Sequence, residues 1–359
     1  MACTSSSIEK PRVEMNQSAT LSLHTIDYPF ETLIQRVKAD PPKLILDPDF
    51  QRKYKWDKEG WGRASKFIES CLMRIPLPSC YFAENDTKAH LVIDGVQRIT
   101  TIIRFMNDEF ALEGMTAFVH LEGKKFSQLG SLAADLESTT IRCIVLRNEN
   151  PKELVAEIFA RLNKGAVELT DQEIRHALFA GLFDKLLTEL ADHPAIKNFK
   201  IGKSGLAARD SREGDELVLR YFAFKETGGE YSDNLTRFLD RFMEKSLKFD
   251  LVRISELKVD FLKSLDACQI VFDDDEIFSD INRERRRQGI VYYDLLMGSL
   301  GEVDAQLLQS KRTEIRESFK ELCRSNDFKR LTAGGLQRKT SIARRNTLWG
   351  AKLKAAIGG

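Results

Sequence analysis

The segment His90–Thr101 has the residue types and spacing to hold a phosphate group. A buried strand, a glycine turn and the start of an amphipathic helix point free backbone N–H groups and the positive helix end outward. The residues that could take part are Asp94, Gly95, Gln97, Arg98, Thr100 and Thr101. Arg98 would bind the anion, whereas the Asp94 carboxylate suits Mg²⁺, a water or a ribose hydroxyl. In the structural alternative, Asp94 caps the helix and Arg98 is a surface charge.

Residues 50–56, with the sequence Phe-Gln-Arg-Lys-Tyr-Lys-Trp, form a second segment suited to a nucleotide. The forked guanidinium of Arg52 matches a phosphate, and the rings of Tyr54 and Trp56 offer faces for a base. The structural alternative is that the aromatic residues anchor a loop to the core while the charges are solvated. For this segment taken alone, the structural alternative is favoured.

Residues 159–175 form a third polar cluster, in which one helix ends at Gly165 and Thr170 begins the next. A helix–loop–helix with a glycine C-cap explains Gly165 and Thr170. It does not explain why Arg161, Asn163 and Arg175 gather there.

The periodicity of apolar residues predicts an α+β chain. Strand candidates are found only before residue 147, at 44–46, 81–83, 90–93, 116–121 and 140–146. Helix candidates are 29–37, 61–73, 96–106, 151–162, 170–190, 214–225, 232–248, 250–268, 273–287, 292–298 and 302–324. We therefore predict a polar tail at residues 1–20, a mixed α/β domain at 21–180 and an all-helical domain at 181–359. Thr170 and Glu173 have the spacing of a capping box.

Composition excludes several classes of protein. With 55 Lys and Arg against 54 Asp and Glu, the chain has no overall polyanion-binding field, so nucleic acid would need a local patch. The basic run at 283–287 is predicted to be a solvated helix face, and the C-terminal region is basic at Arg338, Lys339, Arg344 and Arg345. The six cysteines lack CxxC spacing, and the five histidines form no metal-binding pair. No apolar run has membrane-spanning length, so the cytoplasm is the expected location.

The segments, taken in order, resemble the N-terminal domain of GmrSD-type modification-dependent restriction proteins, whose hallmark is a DGQQR motif. The matches are residues 50–56, the Ile-Pro-Leu-Pro run at 75–78, Asp94-Gly95-Val96-Gln97-Arg98-Ile99-Thr100, and residues 159–165, 169–175 and 215–220. The resemblance implies a ParB/sulfiredoxin-like fold with a helical extension. It also implies binding, and in some members hydrolysis, of GTP or another NTP.

The resemblance assigns roles to individual residues. It makes Asp94, Gln97 and Arg98 catalytic, with Mg²⁺ held at Asp94. The nucleotide and phosphate contacts that it implies are Gln51, Arg52, Gly95, Thr100, Arg161, Asn163 and Arg175. Val96 departs from the motif by replacing its first glutamine. If that glutamine positions the attacking water, hydrolysis is lost while binding is kept.

The expected function is that of an NTP-binding regulator or sensor in a restriction or phage-defence system, acting with GTP or ATP and Mg²⁺. Its expected partners are modified DNA, a separate nuclease or effector, and further copies of the chain. A nuclease supplied separately is expected because residues 194–359 contain no histidine for a His-Asn-His site. One alternative is a non-catalytic DNA- or partner-binding module. A metal-dependent nuclease ranks last, since no paired-carboxylate-plus-lysine pattern is evident.

Overall fold

A computed structural model describes residues 21–46, 54, 56–57, 60–162, 170–197, 199 and 212–358. It divides into two compact units, residues 1–151 and 152–359. Each unit has its own cluster of buried apolar side chains. Both units are therefore built around a separate hydrophobic core.

The first unit contains a five-stranded mixed sheet in the order β1-β5-β3-β4-β2. The strands are β1 (Leu23–Pro29), β2 (Leu44–Ile45), β3 (Cys80–Glu84), β4 (His90–Asp94) and β5 (Thr140–Leu146). The helices are α1 (Phe30–Lys38), α2 (Gly62–Leu72), α3 (Val96–Met106) and α4 (Ser131–Ser138). Strands β1 and β5 pair antiparallel, as do β3 and β4, whereas β3–β5 and β2–β4 are parallel. This register sets Asp94 opposite Tyr81 and Cys80 beside Cys143.

Apolar periodicity explains how α3 is fixed in the first unit. Ile99, Ile102 and Phe105 recur every three residues and are fully buried, which is the pattern of a helix face packed on a core. In β5, Ile141 and Cys143 alternate with exposed residues, as expected for a strand with one buried face. The turn between β4 and α3 is thereby held between a buried strand and a buried helix face.

The predicted strand at Thr116–Leu121 is wrong. The segment instead ends in a 3-10 turn at Val119–Leu121. The buried Glu69 carboxylate accepts hydrogen bonds from the amides of residues 116–118, at 2.6 to 3.0 Å. The Glu122 carboxylate accepts hydrogen bonds from the amides of Gly114 and Met115 in the same way. Since two carboxylates satisfy these donors, the segment needs no neighbouring strand.

The second unit is helical over its described residues. Its helices are α5 (Lys152–Leu162), α6 (Asp171–Leu178), α7 (Leu182–Ala191), α8 (Pro194–Lys197), α9 (Glu213–Thr227), α10 (Leu235–Ser246), α11 (Leu251–Val271), α12 (Ile290–Leu300), α13 (Ala305–Ser310), α14 (Arg312–Arg324), α15 (Asn326–Ala333) and α16 (Lys339–Ile357). An isolated bridge between Ser279 and Gln288 is the one piece of β-structure among the described residues of this unit. The predicted α+β arrangement, with strands only in the N-terminal part, is confirmed, and so is the capping box of Thr170 and Glu173.

Three helix predictions in this unit need correction. The stretch 302–324 is divided at Lys311 into α13 and α14, and its first residues form a turn. The stretch 170–190 is divided at Phe179–Gly181 into α6 and α7. The predicted helix at 273–287 is wrong, since this stretch forms turns around the bridge to Gln288. Phe278 adopts a positive φ of 60°, which no α-helix accommodates, and its side chain is buried in the core.

Candidate functional site

The turn at Gly95 joins β4 to α3 and can be formed only by glycine. Its φ of 104° lies in the left-handed region. A Cβ at this position would lie 2.3 Å from the Cys80 Sγ, much closer than two such atoms can approach. Gly95 is the N-cap of α3, and no side chain caps the helix. Because Gly95 has no side chain, the cap residue itself offers no acceptor to the first turn of α3, and a helix N-terminus of this kind is suited to an anion.

Arg98 and Asp94 form an ion pair across the first turn of α3, with 2.6 Å between Nη2 and Oδ2. Arg98 also donates to the backbone carbonyls of Pro78, at 2.7 Å, and Ser79, at 3.3 Å. Only 13% of the Arg98 side chain is exposed. The structural alternative differs from the structure in detail, because Gly95 is the N-cap and Arg98 is largely buried, but these contacts do give both Asp94 and Arg98 a structural role.

Two threonines extend the candidate site along α3. Thr101 is buried and donates to the Gln97 carbonyl at 2.8 Å, while Tyr54 Oη lies 2.7 Å from Thr101 Oγ1. Because the Thr101 hydroxyl already donates its proton to the Gln97 carbonyl, Tyr54 is the donor in the hydrogen bond between the Tyr54 and Thr101 hydroxyls. Thr100 is also buried, and its hydroxyl has no hydrogen-bond partner among the described residues. This contact places Tyr54, one residue of the second sequence segment, against the first turns of α3.

Arg104 was not predicted to contribute, yet it fixes this second segment. Its guanidinium lies 5.0 Å from the Tyr54 ring and 4.7 Å from the Trp61 ring. It also pairs with Asp57 and Glu109, each at 2.9 Å. Arg104 follows Gln97 by seven residues, two helical turns, so helical spacing was the available signal.

The aromatic residues near this loop serve packing. Tyr54 is buried, and Trp56 packs edge-on against Phe67 at 5.5 Å. Trp61 stacks on Phe110 at 4.3 Å. The anchoring role that the structural alternative gave to Trp56 therefore agrees with its placement. Gln51, Arg52 and Phe50 lie outside the described residues.

Residues 30–180 match the GmrSD restriction endonuclease N-terminal domain family. The chain carries a GmrSD N-terminal domain. No curated protein and no solved structure shows significant similarity to the chain. The match to this domain family indicates a component of a restriction or phage-defence system. The GmrSD N-terminal domain includes α1, the Gly95 turn and, in the second unit, α5 and α6.

The GmrSD N-terminal domain also includes the third polar cluster, in which Asn163 lies outside the described residues. Arg161 is exposed and pairs with Glu157 on its own helix. Arg175 is buried, and its guanidinium donates to Asp240 at 2.7 Å and Glu216 at 3.1 Å. It donates further to Gln172 and to the carbonyl of Thr236. These contacts join α6 to α9 and α10.

The segment 215–220 forms buried ion pairs beyond the GmrSD N-terminal domain. Glu216 binds Arg175, Asp215 binds Arg212 at 2.7 Å, and Arg220 binds Asp294. Burial raises the pKa of the Asp215 carboxyl, and Arg212 opposes that effect. These side chains cross-link the second unit, a contribution that sequence patterns alone did not indicate.

Two wider observations complete the description. Within the described ranges, no group of three or more His, Cys, Asp or Glu side chains is placed to hold a metal ion. The helices described here include none that is both long and apolar enough to cross a membrane.

Proposed function

We propose that the chain binds a nucleoside triphosphate, GTP or ATP, at the Gly95 turn and acts as a nucleotide-dependent regulator in its restriction system. The observation that carries the proposal is that α3 begins at a glycine N-cap with Arg98 in its first turn. An N-terminal helix end offers backbone N–H groups and a positive dipole, and an arginine beside it adds a forked donor.

The ion pair between Arg98 and Asp94 supports a role for Mg²⁺. Three of the five guanidinium N–H donors of Arg98 are used by Asp94, Pro78 and Ser79, which leaves two for a phosphate. Asp94 is a single carboxylate, so it suits an ion carried in by the nucleotide, since Mg²⁺ often takes one carboxylate together with substrate phosphates and waters. Such an ion would offset the repulsion between Asp94 and the phosphate.

The position of Tyr54 supports the contribution of Gln51 and Arg52. Tyr54 bonds Thr101, one turn from Gln97 on α3. Arg52 precedes Tyr54 by two residues, so covalent geometry keeps its Cα within about 7 Å of that of Tyr54. We therefore include Gln51, Arg52 and Thr100 in the proposed site.

We further assign the first unit to the ParB/sulfiredoxin-like class of fold. The small mixed sheet with surrounding helices is compatible with that assignment. A separate nuclease or effector that acts on modified DNA is the proposed partner.

The test of nucleotide binding is Arg98→Ala. Loss of a hydrogen bond to a charged group should weaken the affinity for GTP or ATP by about 1.5–3 kcal/mol, measured by calorimetric titration with Mg²⁺. Arg98 also braces the carbonyls of residues 78–79, so the variant should unfold more easily too.

Asn150→Ala separates these two effects. The Asn150 side chain is buried and hydrogen-bonds the backbone of Ser22 and Arg147. Asn150 follows the end of β5, which lies at the edge of the sheet where β4 starts, whereas Gly95 follows the end of β4. The control should therefore lose stability and keep its nucleotide affinity. Equal affinities for the natural protein and Arg98→Ala would refute the proposed site.

A second candidate function, binding without turnover, is favoured by Val96. Its side chain packs against the core of the first unit, so this position offers no amide to a water. If the missing glutamine limits turnover, Val96→Gln should hydrolyse NTP faster than the natural protein in a phosphate-release assay. Equal turnover at unchanged affinity and stability would show that Val96 is not the limiting departure.

A further inference from the structure

The C-terminal region has an excess of positive charge. Residues 328–359 contain eight Lys and Arg and no Asp or Glu. The other 327 residues contain the remaining 47 basic side chains and all 54 acidic ones. The near-neutral total therefore conceals a basic segment with a net charge of +8 against −7 for the rest of the chain.

Much of this charge is exposed around the turn between α15 and α16. We define the C-terminal basic surface as Lys329, Arg330, Arg338, Lys339 and Arg344, all of which are exposed. Among the described residues, Arg344 is the one member of this set whose charged group lies within 4 Å of a carboxylate, Asp327 at 3.9 Å. The Lys339 ammonium donates to the Gly229 carbonyl at 3.2 Å. Arg330 follows Asp327 by three residues on α15, so the contact also brings Arg344 close to Arg330. The side chains of Lys329, Arg330 and Arg338 make no ion pair among the described residues, so their charges can bind a polyanion.

The turn that carries these residues is held in place by buried groups. Arg345 is buried and donates to the carbonyls of Leu331, at 3.1 Å, and Leu336, at 2.6 Å. Tyr231 donates to the Gln337 carbonyl, and the Lys339 amide donates to Asp233. The surface is therefore organised before any ligand arrives, which lowers the entropic cost of binding.

The chemistry of this surface selects among anionic partners. The aromatic residues of the segment, Phe328 and Trp349, are both buried, so it offers no platform for stacking unpaired bases. Trp349 and Leu353 also face the core, so α16 does not present the apolar face that interfacial membrane helices insert. The segment exposes no aromatic ring, and Leu336 is its one large exposed apolar side chain among the described residues. Such a set of exposed cations fits the phosphate backbone of a duplex.

We propose that the C-terminal basic surface binds double-stranded nucleic acid through its phosphates, without reading the sequence of bases. The surface lies outside the GmrSD N-terminal domain, at residues 30–180. The proposal for this surface does not depend on whether the proposed nucleotide site binds a nucleotide.

The test compares two charge-matched triple variants of the full chain. The first is Lys329→Gln/Arg330→Gln/Arg344→Gln. The second removes three exposed lysines elsewhere in the same unit, as Lys185→Gln/Lys248→Gln/Lys263→Gln. Fluorescence anisotropy with a labelled 30-base-pair DNA duplex, repeated over a range of salt, measures affinity and its salt dependence. Duplex RNA, single-stranded DNA and phosphatidylserine vesicles are parallel probes.

We expect the first variant to bind the DNA duplex with an affinity at least roughly tenfold lower. The magnitude of the slope of log affinity against log salt should fall by about 2 to 3. The control should resemble the natural protein, and duplex RNA should behave like duplex DNA if phosphates alone are contacted. The proposal fails if the natural protein does not bind duplexes at low salt or if both variants weaken equally. It also fails if single strands or vesicles are preferred.

Discussion

At the residue scale, Gly95 is constrained by its backbone and by its neighbour. A side chain would be strained at φ 104° and would collide with the Cys80 Sγ. Left-handed backbone costs about 1–2 kcal/mol and overpacking about 1–3 kcal/mol. Gly95→Ala should therefore lower the free energy of unfolding by about 2–5 kcal/mol, measured by urea denaturation.

Cys80→Ala offers a way to separate the two causes. In Gly95→Ala/Cys80→Ala the collision with Sγ is removed while the backbone strain stays, so the cost of Gly95→Ala should be smaller in the Cys80→Ala background. A cost that is the same in both backgrounds would show that Cys80 does not crowd the turn.

Sequence identified the turn but not the contacts that hold it. The strand, the glycine and the spacing of four between Asp94 and Arg98 are local, so they could be predicted. The bonds from Arg98 to the carbonyls of Pro78 and Ser79 depend on the pairing of β3 with β4. Tyr54 meets Thr101 across 47 residues of sequence. No local pattern predicts contacts of that range.

At the element scale, the Glu69 carboxylate organises a segment that has strand-like composition. Thr116–Leu121 was predicted as a strand because its residue types allow one. A carboxylate from α2 satisfies its amides instead, and no periodicity signals such an acceptor. The failed helix at 273–287 has a similar cause, since the core contact of Phe278 outweighs helix propensity.

The environment of Glu69 predicts an acid-sensitive contribution to stability. Burial raises the pKa of its carboxyl, but hydrogen bonds from the amides of Phe118, Ala117 and Thr116 outweigh this, and the pKa falls below its ordinary 4.5. A lowered pKa in the folded state stabilises the protein above the unfolded value of 4.5. That stability is lost as the pH falls through the folded value.

Glu69→Gln should lower the free energy of unfolding by about 2–3 kcal/mol at pH 7, because an amide oxygen is a weaker acceptor than a carboxylate. It should also flatten the decline in stability below pH 4.5, followed by urea denaturation at several pH values. Glu149→Gln is the matched control, since its exposed carboxylate accepts a hydrogen bond from the Ser22 hydroxyl and from no other group in the part of the chain that the structure describes. A decline of unchanged steepness in Glu69→Gln would contradict the assignment.

At the scale of the whole molecule, the two hydrophobic cores predict separate responses to core mutation. Phe222 is fully buried in the second unit beside Phe183 and Phe261. Phe222→Ala should destabilise that unit by about 3–5 kcal/mol. Hydrogen exchange should then accelerate in α9 and α11 while the sheet amides keep their protection.

Phe82→Ala, in the core of the first unit, should produce the reverse pattern. Helices α5 and α6 are the informative elements, because residues 152–180 belong both to the second compact unit and to the family match. If hydrogen exchange in α5 and α6 accelerates in Phe82→Ala and not in Phe222→Ala, the predicted domain boundary near residue 180 is supported. Equal acceleration throughout the chain in both variants would contradict separate folding.

The three tryptophans give the chain a built-in optical probe. Trp56 and Trp61 lie in the first unit, where Trp61 stacks with Phe110 beneath the Arg104 guanidinium. Trp349 is buried in the second unit and donates to Ser299 at 2.8 Å. Replacing Trp349 with phenylalanine would confine indole emission to the loop tied to α3 through Tyr54. Quenching or a wavelength shift on adding nucleotide would then be observed without an attached dye.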